Sequence, residues 1–105
     1  MEDKDEILQQ REELSRLRER QRERQRDDDM KWLMASATGR RIVWRLLERA
    51  KVFSSTFDQH AGAMSFNEGR RSAGLELLSD INRLCPHQYP VMAQENIQKP
   101  EEASQ

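Results

Sequence analysis

The chain reads as an all-α protein: a long charged N-terminal helix followed by a small module of three to four helices. Three observations predict this. No segment alternates apolar and polar residues as a strand would, residues 2–26 contain neither Gly nor Pro, and the apolar residues after Met30 recur at helical spacing. With 105 residues, 35% of them charged, and a mean hydropathy of −1.02, most of the surface stays in water. Apolar residues thin out before Met30 and after Met92, so about 65 residues can pack together, and a unit of that size commonly leans on a partner subunit. The expected organisation is an extended charged helix over 1–28, a compact helical module over 29–98 and a disordered tail over 99–105.

The first helix is built from Glu, Gln, Arg and Leu, all good helix formers. At 100° per residue Ile7, Leu14, Leu17 and Gln21 form a narrow stripe, with Asp5, Glu12, Glu19 and Glu23 opposite. Seven arginines against four glutamates between residues 11 and 26 flank the stripe in two bands, which makes a partial heptad seam with charged shoulders. Two readings stand: an exposed helix held by pairs such as Glu12 with Arg16, or a docking helix whose contacts are Ile7, Leu14 and Leu17.

Asp27, Asp28 and Asp29 then read as an acidic N-cap and first turn for a new helix through "MKWLMAS". As metal ligands they are unsuited, since three adjacent carboxylates on one short segment cannot converge. Thr38 is placed to cap the next helix, running to about Ala50, with Ile42, Val43, Leu46, Leu47 and Ala50 on one face and Arg41, Arg45 and Arg49 on the other. The loop "KVFSSTFDQHAGAM" carries Val52, Phe53 and Phe57 as plugs for the core. Ser65 and Glu68 have capping-box spacing, so a helix is expected from Phe66 until Pro86 stops it. A short helix with Val91, Met92 and Ile97 closes the module. Its expected core is Trp44, Leu47, Phe66, Leu77 and Ile81.

Gly-Arg-Arg occurs twice, at Gly39-Arg40-Arg41 and Gly69-Arg70-Arg71, and on this reading both mark helix starts. In each pair the first arginine faces the packed side and the second faces away. A buried guanidinium needs an acceptor, such as Asp58, Glu48 or the carbonyls at a neighbouring helix end. Arg40 and Arg70 are therefore expected to be structural. Phosphate binding is the alternative, although neither "ATGRR" nor "NEGRR" matches a phosphate loop. Arg41, Arg45 and Arg49 form either a solvated stripe or a docking surface for DNA or an acidic protein.

Chemistry is sparse. His60 and His87 stand apart, Cys85 lies on an apolar face, and no nucleophile, base and orienter come together, so neither enzymatic activity nor a metal or cofactor is expected. Trp32, Trp44, Phe53, Phe57 and Phe66 suit a core or docking anchors better than a base-stacking platform. A single cysteine fits a reducing compartment. The opening "MEDKDEILQQ" lacks the order of a secretory signal, and no apolar run approaches the ~20 residues of a membrane span.

The stretches "TGRRIVWRLLERAKVFSSTF", "FNEGRRSAGLELLSDI" and "CPHQYPVMAQE" together resemble the Bbp-nineteen family of small tailed-phage structural proteins. The resemblance runs from Trp32 to Glu95 and rests on Gly39, Arg40, Arg41, Trp44, Leu46, Leu47, Phe53, Phe57, Gly69, Arg70, Gly74, Leu75, Cys85, Pro86, Tyr89 and Met92. It implies a virion-associated component encoded near packaging and portal genes, with no catalytic residue to carry over. The expectation is a non-enzymatic virion structural or assembly protein, made in the host cytoplasm. Its expected partners are portal or head-tail proteins, or copies of itself as a homo-oligomer in a ring, without membrane contact during assembly. A DNA-contacting packaging accessory or ejected internal protein is the alternative.

Overall fold

The computed structural model describes residues 3–97, which form four helices: α1 (Lys4–Met34), α2 (Ala37–Arg49), α3 (Ala61–Leu84) and α4 (Gln88–Asn96). The expected tail at 99–105 lies outside the described residues. Asp3 starts α1, its side chain accepting the Asp5 N–H at 3.3 Å. The helix then runs for 31 residues, so Asp27, Asp28 and Asp29 lie inside it and start nothing. They do not break the helix because two of them have partners: Asp29 accepts from Gln25 one turn back at 2.9 Å, and Asp27 pairs with Arg83 of α3 at 3.2 Å. The boundary expected at residue 28 therefore falls within one continuous helix.

Two residues, Ala35 and Ser36, separate α1 from α2. Ser36, not Thr38, is the N-cap: its Oγ accepts the Gly39 N–H at 3.0 Å, while Thr38 lies within the first turn. The reversal is tight at Gly39. A Cβ built there would sit 1.8 Å from the carbonyl oxygen of Leu33, so only glycine lets α2 approach the end of α1. Ala50 is the C-cap of α2, and Lys51 follows in the left-handed region at φ 60°.

α3 starts at Ala61, five residues before the expected Phe66, with Asp58 accepting the His60 N–H at 2.8 Å just ahead of it. Ser65 and Glu68 thus lie within the helix and form no capping box; Glu68 instead accepts from the buried Thr56 hydroxyl in the loop. Because α3 begins early, its first two turns overhang the module. Phe66 is 66% exposed there and is not a core residue; the helix first meets the core at Gly74. Pro86 lies beyond the end of α3, and α4 follows after Cys85, Pro86 and His87.

The core consists of Met34 from α1, Val43, Trp44 and Leu47 from α2, Ile81 from α3 and Met92 from α4, so each helix supplies at least one fully buried side chain. Leu77, Leu78, Cys85, Tyr89 and Val52 pack around it, half-buried. On α2 the inward face is Arg40, Val43, Trp44 and Leu47, at i, i+3, i+4 and i+7; Ile42 and Leu46, expected on that face, sit at its exposed shoulder. Phe53 stacks on Trp44 at 4.6 Å between centroids, but Phe57 stays open to solvent and plugs nothing.

Candidate functional site: a docking helix on an arginine-tied module

From Leu8 to Arg26 every residue of α1 is exposed, and no hydrogen bond or ion pair from these residues reaches another helix among the described residues. Leu14 and Leu17 are about half-exposed, Ile7 is half-buried, and all three face solvent along the same side of the helix. The molecule consequently measures 79 Å along its longest axis against 16 Å along its shortest. An apolar stripe on an arm of this kind is surface left for something else to cover.

The arm is held to the module at its last two turns. Met30 and Leu33 pack beside the buried Met34, and Arg83 of α3 reaches Asp27 at 3.2 Å while also holding Asp80. These carboxylates and the hydrogen bonds they accept push the Arg83 guanidinium pKa above its ordinary value. An open groove of about 650 Å³ runs beside this junction, lined by Arg26, Asp29, Met30, Leu33 and Leu84 among others.

Arg40 is the second tie. Its side chain is 12% exposed and donates to three groups: the Met34 carbonyl at 2.9 Å, the Glu95 carboxylate at 2.5 and 3.1 Å, and the Gln88 side chain at 3.3 Å. One guanidinium thus joins the end of α1, the start of α2 and both ends of α4. The hydrogen bonds and charge of Arg40 hold the Glu95 carboxyl below the usual range, and Glu95 in turn raises Arg40. Glu95 takes the place of the expected partners Asp58 and Glu48. It lies 55 residues away, and nothing in the spacing of the sequence points to it.

Arg70 repeats one part of this chemistry. It donates to the carbonyl of Arg49, the last residue of α2, as Arg40 donates to that of Met34, the last residue of α1. Each first arginine therefore caps the C-terminal end of the preceding helix, where positive charge is favoured. The guanidinium of Arg70 also lies 5.5 Å over the ring of Phe66. Only the first Gly-Arg-Arg marks a helix start, since Arg70 is the tenth residue of α3. The inward and outward assignment also holds only at the first pair: Arg41 is exposed, whereas Arg71 is half-buried with its Nε covered and unpartnered.

Arg41, Arg45 and Arg49 are all exposed on α2, and none forms an ion pair among the described residues. Cys85 is partly buried, which pushes its thiol pKa up and makes it a weaker nucleophile. Among the described residues no group of three or more His, Cys, Asp or Glu is placed to hold a metal, and no helix is long and apolar enough to cross a membrane.

A family model described as "Bbp19-like phage protein" matches residues 30–94. The match begins at Met30, the first residue of α1 that packs against the core, and ends within α4. Comparisons with curated proteins and with solved structures give no match.

Proposed function

The chain belongs to the Bbp19-like phage protein family, and from that premise we propose that it is a non-enzymatic structural or assembly component of the phage virion. It works by binding portal or head-tail proteins, or copies of itself. The observation that carries the reading is the arm: six turns of α1 with a solvent-facing apolar stripe, rooted in a module whose own core is closed. A helix laid on a neighbour through apolar anchors along one face, here Ile7, Leu14 and Leu17 at i, i+7 and i+10, is a recurrent mode of recognition, and a symmetric portal would present the same groove to many copies in a ring. The test is binding of the full chain to purified portal and head-tail proteins. Leu14→Glu with Leu17→Glu should abolish capture while leaving the module's melting temperature unchanged. Capture that survives both substitutions would remove α1 from the contact.

The exposed, unpaired Arg41, Arg45 and Arg49 favour a second reading, a packaging accessory or ejected protein that touches DNA. Phosphate contacts of this kind weaken steeply with salt. Retention of DNA at about 150 mM salt, lost when the three arginines become glutamate, would support it; no retention by the unaltered chain would sink it.

A further inference from the structure

We propose that the arm of α1 pairs with α1 of a second copy as a parallel, in-register, two-stranded coiled coil over residues 4–26. This rests on the reading of the chain as a self-associating component and names the surface and orientation. With Ile7 at heptad position a, positions a and d are Ile7, Gln10, Leu14, Leu17, Gln21 and Arg24. The flanking g positions are Glu6, Glu13 and Arg20, and the e positions are Arg11, Arg18 and Gln25.

The ion pairs within the arm divide along these lines. Those that form, Glu12 with Arg16 and Glu19 with Arg22 and Arg26, all use positions b, c and f on the outer face. Glu6, Arg11, Glu13 and Arg18, at g and e, have no ion-pair partner among the described residues. In a parallel pair each g residue meets the e residue five positions on in the other strand. Glu6 then meets Arg11 and Glu13 meets Arg18, each twice by symmetry, so these four flanking charges are matched by a second chain, while Arg20 meets the neutral Gln25.

Antiparallel pairing sets e against e and g against g. Aligning Leu14 with Leu17 places Arg11 against Arg18, offset by Glu13 against Arg20, and aligning Ile7 with Leu17 places Arg11 and Glu13 each against its own copy. Each antiparallel alignment thus opposes like charges somewhere in the arm, and the parallel register opposes none at its g and e positions. Two strands fit better than three, because Gln10, Gln21 and Arg24 in the seam keep access to water in a two-stranded coil and lose it in a larger one. The arm also avoids the nucleation cost that makes short isolated helices marginal, because its last turns are already anchored by Met30, Leu33 and Met34. The seam ends where Asp27 turns to Arg83 of its own module.

Sedimentation of the full chain at about 100 µM, above the dissociation constant of a modest coiled coil, should give twice the 12.4 kDa chain mass. Glu6→Arg with Glu13→Arg should sediment as a monomer, as should Arg11→Glu with Arg18→Glu, and an equal mixture of the two variants should recover the doubled mass. Glu12→Arg, which loses only an outer-face pair, should leave the mass doubled. Gln10→Cys in a Cys85→Ser background should cross-link to its own copy under mild oxidation, as residue 10 faces itself only in the parallel register. A monomeric unaltered chain, a larger assembly, a mixture that stays monomeric, or no cross-link would each overturn the proposal. None of these outcomes depends on whether the chain occurs in virions, so the pairing and the virion reading fail separately.

Discussion

Replacing Gly39 with alanine is the sharpest perturbation of the junction that aims the arm. A Cβ at that position would lie 1.8 Å from the Leu33 carbonyl oxygen and 2.8 Å from its carbon, against 3.4 Å or more for ordinary contact, so α1 and α2 must separate by about 1.6 Å. The clashing atoms are backbone and cannot rotate away. Overpacking of this kind costs about 1–3 kcal/mol, and the same shift would pull Arg40 from the Met34 carbonyl it reaches at 2.9 Å. Alanine recovers at most about 1 kcal/mol of helix propensity. With about 1 kcal/mol more for that lost hydrogen bond, the net loss is about 1–3 kcal/mol, or roughly 5–15 °C in melting temperature for a domain of this size. Gly69→Ala is the internal control: nothing lies within 4 Å of its added Cβ, so it should gain about 0.5–1 kcal/mol and melt a few degrees higher. The readout is thermal unfolding by circular dichroism at one protein concentration. Gly39→Ala melting at or above the unaltered chain would refute the assigned close approach.

Three further outcomes follow from the module. Arg40→Ala should lower the melting temperature more than Arg41→Ala, since Arg40 ties three helices and Arg41 is exposed; equal values would remove the distinction. Glu95 has a depressed pKa when folded, so its contribution is fully present above the unfolded carboxylate value near 4.5 and is lost as pH falls through the lower folded value. The gap in melting temperature between the unaltered chain and Glu95→Gln should therefore be constant above that value and narrow as the solution is made more acid; a gap independent of pH below it would contradict the ion pair. Leu47→Ala, at a fully buried site, should cost about 2–5 kcal/mol in denaturant unfolding.

Fold class was legible because helix formers, apolar spacing and Pro86 act locally. α2 was legible in extent for the same reason, but of the face read as Ile42, Val43, Leu46, Leu47 and Ala50 only Val43 and Leu47 are fully buried, because the partners α1 and α4 turn the helix toward Arg40 and Trp44. The errors came where distant residues decided the outcome. Asp27 to Asp29 look like a helix start until Arg83 and Gln25 are placed beside them. Phe66 looks like core until α3 begins five residues early and leaves it overhanging. The seam of Ile7, Leu14 and Leu17 could be read from periodicity, but the division of its charges into paired and unpaired sets required the side-chain geometry. The role of Arg40 was foreseeable in kind, as a guanidinium needing an acceptor, whereas Glu95 had no local signal.

Quantitative mass spectrometry of purified phage particles decides whether the chain is a virion component. It should be present in intact virions in multiple copies per particle. Its absence from particles, with the chain abundant in the infected-cell lysate, would contradict a virion role.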